Sequence, residues 1–191
     1  MFLSLRSIAN GLTVARAVAG FPLILALQFG CQGWAWWLLL LAGLSDAADG
    51  WLARRAGGGS SWGARLDPLT DKVLIAAPLL WLASSAVLPL LAVWLLLARE
   101  LLISGWRSQA SDGGPASLSG KAKTILQFLS LLLMLWPSGW IAAAGLQSLG
   151  WWLFWPSLAL ALSSALGYIT LRSAPRQNRS LVLRLGSGRS R

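Results

Sequence analysis

Four aspartates, Asp46, Asp49, Asp67 and Asp71, fall within 26 residues of a chain that holds only six acidic residues. They lie in the stretch SDAADGWLARRAGGGSSWGARLDPLTDK, between apolar runs. Carboxylates gathered this closely repel one another, so either some are protonated or cations neutralise them. The chain has no histidine and one cysteine, Cys31, which removes the usual zinc ligands and any intrachain disulfide. An oxygen-only set suits Mg²⁺ or Mn²⁺, and four carboxylates are enough for two ions sharing ligands. Such a pair promotes in-line displacement at phosphorus by clamping the attacking and leaving oxygens.

Helical spacing orders the cluster. At roughly 100° per residue, Asp46, Asp49, Gly50, Ala53 and Arg54 occupy an arc of about 140°. Gly63, Asp67 and Asp71 recur every fourth residue and form one stripe. Between them, Gly57-Gly58-Gly59-Ser60-Ser61 predicts a short flexible turn that sets the two stripes opposite each other, so that the carboxylates converge. Gly50, Ala53 and Gly63 are small where bulk would block a ligand or a neighbouring helix, and Arg54 adds a donor for phosphate oxygens. Pro68 is read as a kink in a helix begun near Ser61, which leaves Asp67 free for metal instead of using it as a cap.

The elements that must position these residues follow from composition. With 56% hydrophobic residues, 12% charged residues and 13 tryptophans in 191 positions, the chain has the make-up of a membrane protein. Six apolar spans, near 11–30, 34–54, 67–86, 88–107, 122–143 and 150–171, each approach the ~20 residues a helix needs to cross hydrocarbon. The expected fold is therefore all-α, a polytopic membrane protein with six transmembrane helices. Residues 1–172 form its catalytic domain and 173–191 a basic tail drawn to anionic lipid. No small-residue cleavage site follows the first span, so it is not read as a signal peptide.

Orientation follows from the cations. The connections near 29–33, 86–90 and 136–150 carry no charge, whereas Arg54, Arg55, Arg65, Lys72, Arg99, Arg107, Lys121 and Lys123 lie at or beside the alternate ones. Short cytoplasmic loops accumulate Lys and Arg, which puts both termini and the acidic cluster on the cytoplasmic side of a bacterial-type inner membrane. Trp34, Trp36 and Trp37, with Trp136, Trp140, Trp151, Trp152 and Trp155, mark the opposite interface. No nucleic-acid partner is expected.

The pattern Asp46-x2-Asp49-Gly50-x2-Ala53-Arg54-x8-Gly63-x3-Asp67-x3-Asp71 resembles, at every fixed position, the signature of the CDP-alcohol phosphatidyltransferases. The resemblance implies a six-helix membrane enzyme, often homodimeric, with the motif facing the cytoplasm. It implies that Asp46, Asp49, Asp67 and Asp71 bind two divalent metals. It also implies that Asp49, Gly50, Ala53, Arg54 and Gly63 line the site for the CDP moiety, and that Asp71 is the general base. CDP-diacylglycerol would be the donor and CMP the leaving group.

The acceptor must be read elsewhere. Arg99-Glu100 with Arg107, and Gly120-Lys121-Ala122-Lys123-Thr124, resemble segments of the phosphatidylglycerophosphate synthase branch of the family, as do Leu66-Asp67-Pro68 and Asp71-Lys72. Asn10-x-Leu12-Thr13-x2-Arg16-x5-Pro22 resembles its amino-terminal pattern, although Ala9 stands where proline is common. Arg99, Arg107, Lys121 and Lys123 would bind the phosphate of glycerol 3-phosphate by charge-assisted hydrogen bonds. Glu100, an acid beside the membrane, calls for a partner in Arg99, Arg107 or an arginine on another helix. Inositol phosphate or another alcohol is the competing acceptor. A cation or proton transporter is the rival class, but its polar residues would extend through the bilayer depth.

Overall fold

The computed structural model describes residues 5–55, 63–109 and 118–173. They form six helices and, among the described residues, no strand: α1 (Leu5–Gln28), α2 (Gln32–Arg55), α3 (Gly63–Ser84), α4 (Leu90–Gln109), α5 (Leu118–Met134) and α6 (Ala143–Ser173). Each expected apolar span becomes one helix, and α1, α2, α3, α5 and α6 continue beyond it into charged sequence. Ala, Leu, Arg and Lys favour helix there, and continuing the helix keeps backbone groups paired. The Gly57–Ser61 turn and the tail from residue 174 lie outside the described residues.

The uncharged end is closed by tight turns. After α1, Gly30 takes φ 73°, the Cys31 N–H donates to Ala26 C=O at 2.8 Å and the Gly30 N–H donates to Leu27 C=O at 3.2 Å. After α3, Ala86 does the same at φ 56°, with Val87 N–H on Leu82 C=O at 3.0 Å. A left-handed residue at this position satisfies carbonyls that the helix end would otherwise orphan. Trp36, Trp37, Trp136 and Trp140 pack edge to face, with ring centroids 5.0 to 6.3 Å apart. Gln32 Oε1 accepts from the Ser138 N–H at 3.0 Å and its hydroxyl at 2.6 Å, fastening the α1–α2 turn to the α5–α6 turn. The expected aromatic interface is thus in part a packed cluster, while Trp34 and Trp152 stand exposed.

All six helices contribute to one core, which includes Leu23, Leu39, Leu79, Leu96, Leu131 and Phe154. The most extensive pairing is α5 with α6; α1 packs along both α3 and α2, and α4 joins α3 to α6. Gly150 permits the α5–α6 approach, because a Cβ there would meet the Met134 backbone nitrogen at 2.6 Å and Ser130 C=O at 2.8 Å. No helix among the described residues is long and apolar enough to cross a membrane. The six expected spans are matched in helix number and not in apolar length. Charged or polar residues take one end of α1 through α5, and Trp, Gly and Ser dilute α6.

Because the atoms facing Gly150 are the α5 backbone and the Cβ of Leu133, none of which can swing aside, Gly150→Ala must push α5 and α6 apart. The expected cost is about 1–3 kcal/mol, seen as a lower thermal unfolding midpoint of the purified protein. An unchanged midpoint would contradict this packing.

Candidate active site

The second half of α2 carries Asp46, Asp49, Gly50, Ala53 and Arg54, and the first half of α3 carries Gly63, Asp67 and Asp71. α3 starts at Gly63, so Asp67 lies inside the helix and is not its cap; the helix runs on through Pro68. The side chains of these eight residues, and those of Arg107 and Lys121, lie outside the described residues. At the level of the helices, and among the described residues, α1 packs along both α2 and α3. Packed helices lie about 8–10 Å apart. The two stripes are therefore carried on helices that share α1 as a neighbour.

A cavity of about 360 Å³ lies between α2, α3 and α5. Gly43, Leu74, Ile75, Thr124, Phe128 and Leu132 are among its lining residues. Gly43 precedes Asp46 by one turn, Leu74 follows Asp71 by one turn, and Thr124 follows Lys123 directly. A Cβ on Gly43 would lie 2.1 Å from Phe128 Cζ, so only glycine lets that ring lean across α2. Sequence reasoning missed Gly43 and Phe128. The available signal was that Gly43 lies two turns before Gly50 on the same helical stripe.

Beside the cavity, Glu100 gathers cations from three helices. Its Oε1 accepts from Arg99 Nη1 at 2.8 Å and from Lys123 Nζ, and its Oε2 accepts from Lys72 Nζ at 3.4 Å. All four side chains are largely buried, Lys123 most deeply. Arg99 also donates through Nε to Ala161 C=O at 2.9 Å and through Nη2 to Ser164 Oγ at 2.5 Å. The expected partner of Glu100 is found in Arg99; the partners from other helices are lysines, not an arginine. Arg99, assigned from sequence to the acceptor phosphate, is placed here as a tether between α4 and α6. Lys72 joins the cluster although sequence reasoning gave it no site role; its position next to Asp71 was the signal. Arg16 on α1 is 2% exposed, the most deeply buried cation among the described residues. The sequence had marked it only as a position of the amino-terminal pattern that resembles the family's.

Residues 6–163 match the family model for CDP-alcohol phosphatidyltransferases. The chain belongs to that family. It is 39% identical over 150 residues to the cardiolipin synthase (CMP-forming) of Streptomyces coelicolor, which covers 72% of this chain and 69% of that one. It is 35% identical over 139 residues to a probable phosphatidylglycerophosphate synthase of Mycobacterium tuberculosis, covering 69% and 66%. A CDP-diacylglycerol–glycerol-3-phosphate 3-phosphatidyltransferase of Salmonella typhimurium is 33% identical over 144 residues, covering 70% and 75%. The family segment takes in the aspartate motif, the Glu100 cluster and the cavity together.

Arg99 gives a direct test of the tether. Arg99→Lys removes the fork that reaches both α6 and Glu100, with an expected loss of about 1–3 kcal/mol. Denaturation of the purified variant would reveal it, and wild-type stability would refute the assignment.

Proposed function

We propose that this chain transfers the phosphatidyl group of CDP-diacylglycerol to sn-glycerol 3-phosphate, giving phosphatidylglycerophosphate and CMP. The observation that carries this reading is the complete aspartate motif on the charged ends of α2 and α3, beside a buried cluster of cations around Glu100. The relatives named for this reaction add support.

Asp46, Asp49, Asp67 and Asp71 hold two divalent cations, Mg²⁺ or Mn²⁺, a fit favoured by an all-carboxylate donor set in a chain without histidine. When bound, the ions supply positive charge against the pyrophosphate and the developing charge of the reaction. Asp49, Gly50, Ala53 and Gly63 line the CDP site, and Arg54 donates to phosphate oxygens. Asp71 accepts the proton of the acceptor hydroxyl as that oxygen attacks the β-phosphorus. The new P–O bond forms as the bond to the CMP phosphate breaks, and CMP leaves with the electron pair. Arg107, Lys121 and Lys123, with Lys72, hold the acceptor phosphate; Arg99 keeps α4 against α6.

The apolar cavity beside the motif suits an acyl chain of the donor. A bilayer setting, with six spans and the charged end cytoplasmic, is supported by the large apolar side chains at the surface. Phe21 is 69% exposed, Leu90 71%, Leu102 70% and Ile125 68%. So many large exposed apolar side chains fit contact with lipid better than with water. A homodimer is part of the proposal through the family resemblance.

A second acceptor has specific support. The 39% identical relative is named a CMP-forming cardiolipin synthase. Cardiolipin carries two phosphatidyl groups on one glycerol, so the corresponding acceptor would be phosphatidylglycerol. Inositol phosphate is a further alternative. A transporter is disfavoured, because the described charge network sits at one end of the bundle and the opposite turns are uncharged.

The test is CMP release from CDP-diacylglycerol by the purified protein, with glycerol 3-phosphate, phosphatidylglycerol and inositol phosphate compared side by side. Glycerol 3-phosphate should be preferred, and chelation should stop turnover until Mg²⁺ or Mn²⁺ is restored. Asp71→Asn should lower the rate by about 10²–10⁴-fold without loss of the folded state. No CMP release with any acceptor would refute the proposal, and an active Asn variant would remove Asp71 from its role.

A further inference from the structure

Glu100 is the one acid whose side chain lies among the described residues, and it faces three cations. Among the described side chains this cluster sets three positive charges around one carboxylate. Arg99 has an evident structural use in its bonds to Ala161 and Ser164 on α6. The two lysines come from other helices, Lys72 from α3 and Lys123 from α5, and among the described residues each bonds to Glu100.

Buried ammonium groups of like sign repel, and each loses hydration unless an anion replaces it. A lysine side chain is also long and flexible, so nothing in its own geometry would hold two of them together. Glu100 does so by taking one lysine on each carboxylate oxygen, at Oε2 for Lys72 and Oε1 for Lys123. An ammonium carries three donors, and Glu100 takes one from each. The position is informative as well. Lys72 follows Asp71 in α3, and Lys123 precedes Thr124, which lines the cavity.

We propose that Glu100 is a positioning residue: it holds Lys72 and Lys123 as a two-armed clamp for the phosphate monoester of the acceptor. The clamp selects a dianionic phosphomonoester over a monoanionic phosphodiester or a neutral alcohol. This rests on the phosphatidyl-transfer reading and deepens it, since it separates glycerol 3-phosphate from phosphatidylglycerol by charge.

The test uses the full chain in detergent micelles with CDP-diacylglycerol, following CMP release as glycerol 3-phosphate is varied. Glu100→Gln should raise the acceptor KM at least about tenfold, equivalent to ~1.4 kcal/mol of binding, while the donor KM stays within about twofold. Inorganic phosphate, used as a competing anion, should inhibit Glu100→Gln more weakly by a similar factor. Glu100→Asp should recover most of the acceptor affinity. If Glu100→Gln does not fold, Lys72→Met keeps the aliphatic stem and leaves Glu100 paired with Arg99 and Lys123; it should show the same selective rise. An unmoved acceptor KM, or equal rises in both KM values, overturns the clamp while leaving phosphatidyl transfer intact. A wild-type protein that releases no CMP with glycerol 3-phosphate overturns both.

Discussion

A buried carboxylate must be surrounded by donors, and much of the charged end of this bundle is organised around that requirement at Glu100. Its two oxygens draw Arg99 from its own helix, Lys72 from α3 and Lys123 from α5, and Arg99 in turn grips α6. Four helices are thereby registered at one level. The apolar core alone could not do this, because apolar contact is non-directional and tolerates sliding between neighbouring helices. Removing one partner of a buried ion group leaves the rest uncompensated, which ties the positions of these helices together.

The other end of the bundle is built from different interactions. It has tight left-handed turns, an edge-to-face tryptophan cluster and neutral hydrogen bonds such as Gln32 to Ser138. The division matches what a lipid-modifying enzyme requires. Chemistry on phosphates needs cations and carboxylates in one place, while the acyl part of a substrate needs an apolar surface that reaches the same place. The cavity between α2, α3 and α5 supplies such a surface one helical turn from both halves of the aspartate motif. Gly43 permits the cavity its shape by admitting the Phe128 ring, and α1 joins α2 to α3 beside it.

Much of this was legible in the chain before any coordinates. Six helices, their approximate limits, and the separation of a charged end from an uncharged end all follow from apolar run length and the placement of Lys and Arg. The aspartate motif was legible as well, because helical periodicity relates residues three, four and seven apart through local geometry alone. Less legible was the extension of the helices into charged sequence, since backbone hydrogen bonding carries a helix past the point where its apolar run ends.

The sequence by itself determined the residue types of the site, their helical register and the family to which the chain belongs. Only the tertiary structure decided which charges meet. That Arg99 tethers α6, that Lys72 and Lys123 share Glu100, and that Phe128 closes over Gly43 all depend on contacts between helices distant in the chain. The physical reason is that spacing specifies the face of a helix on which a residue lies. Which neighbour covers that face is settled by the joint packing of all six helices and by the need to leave no buried charge unpaired.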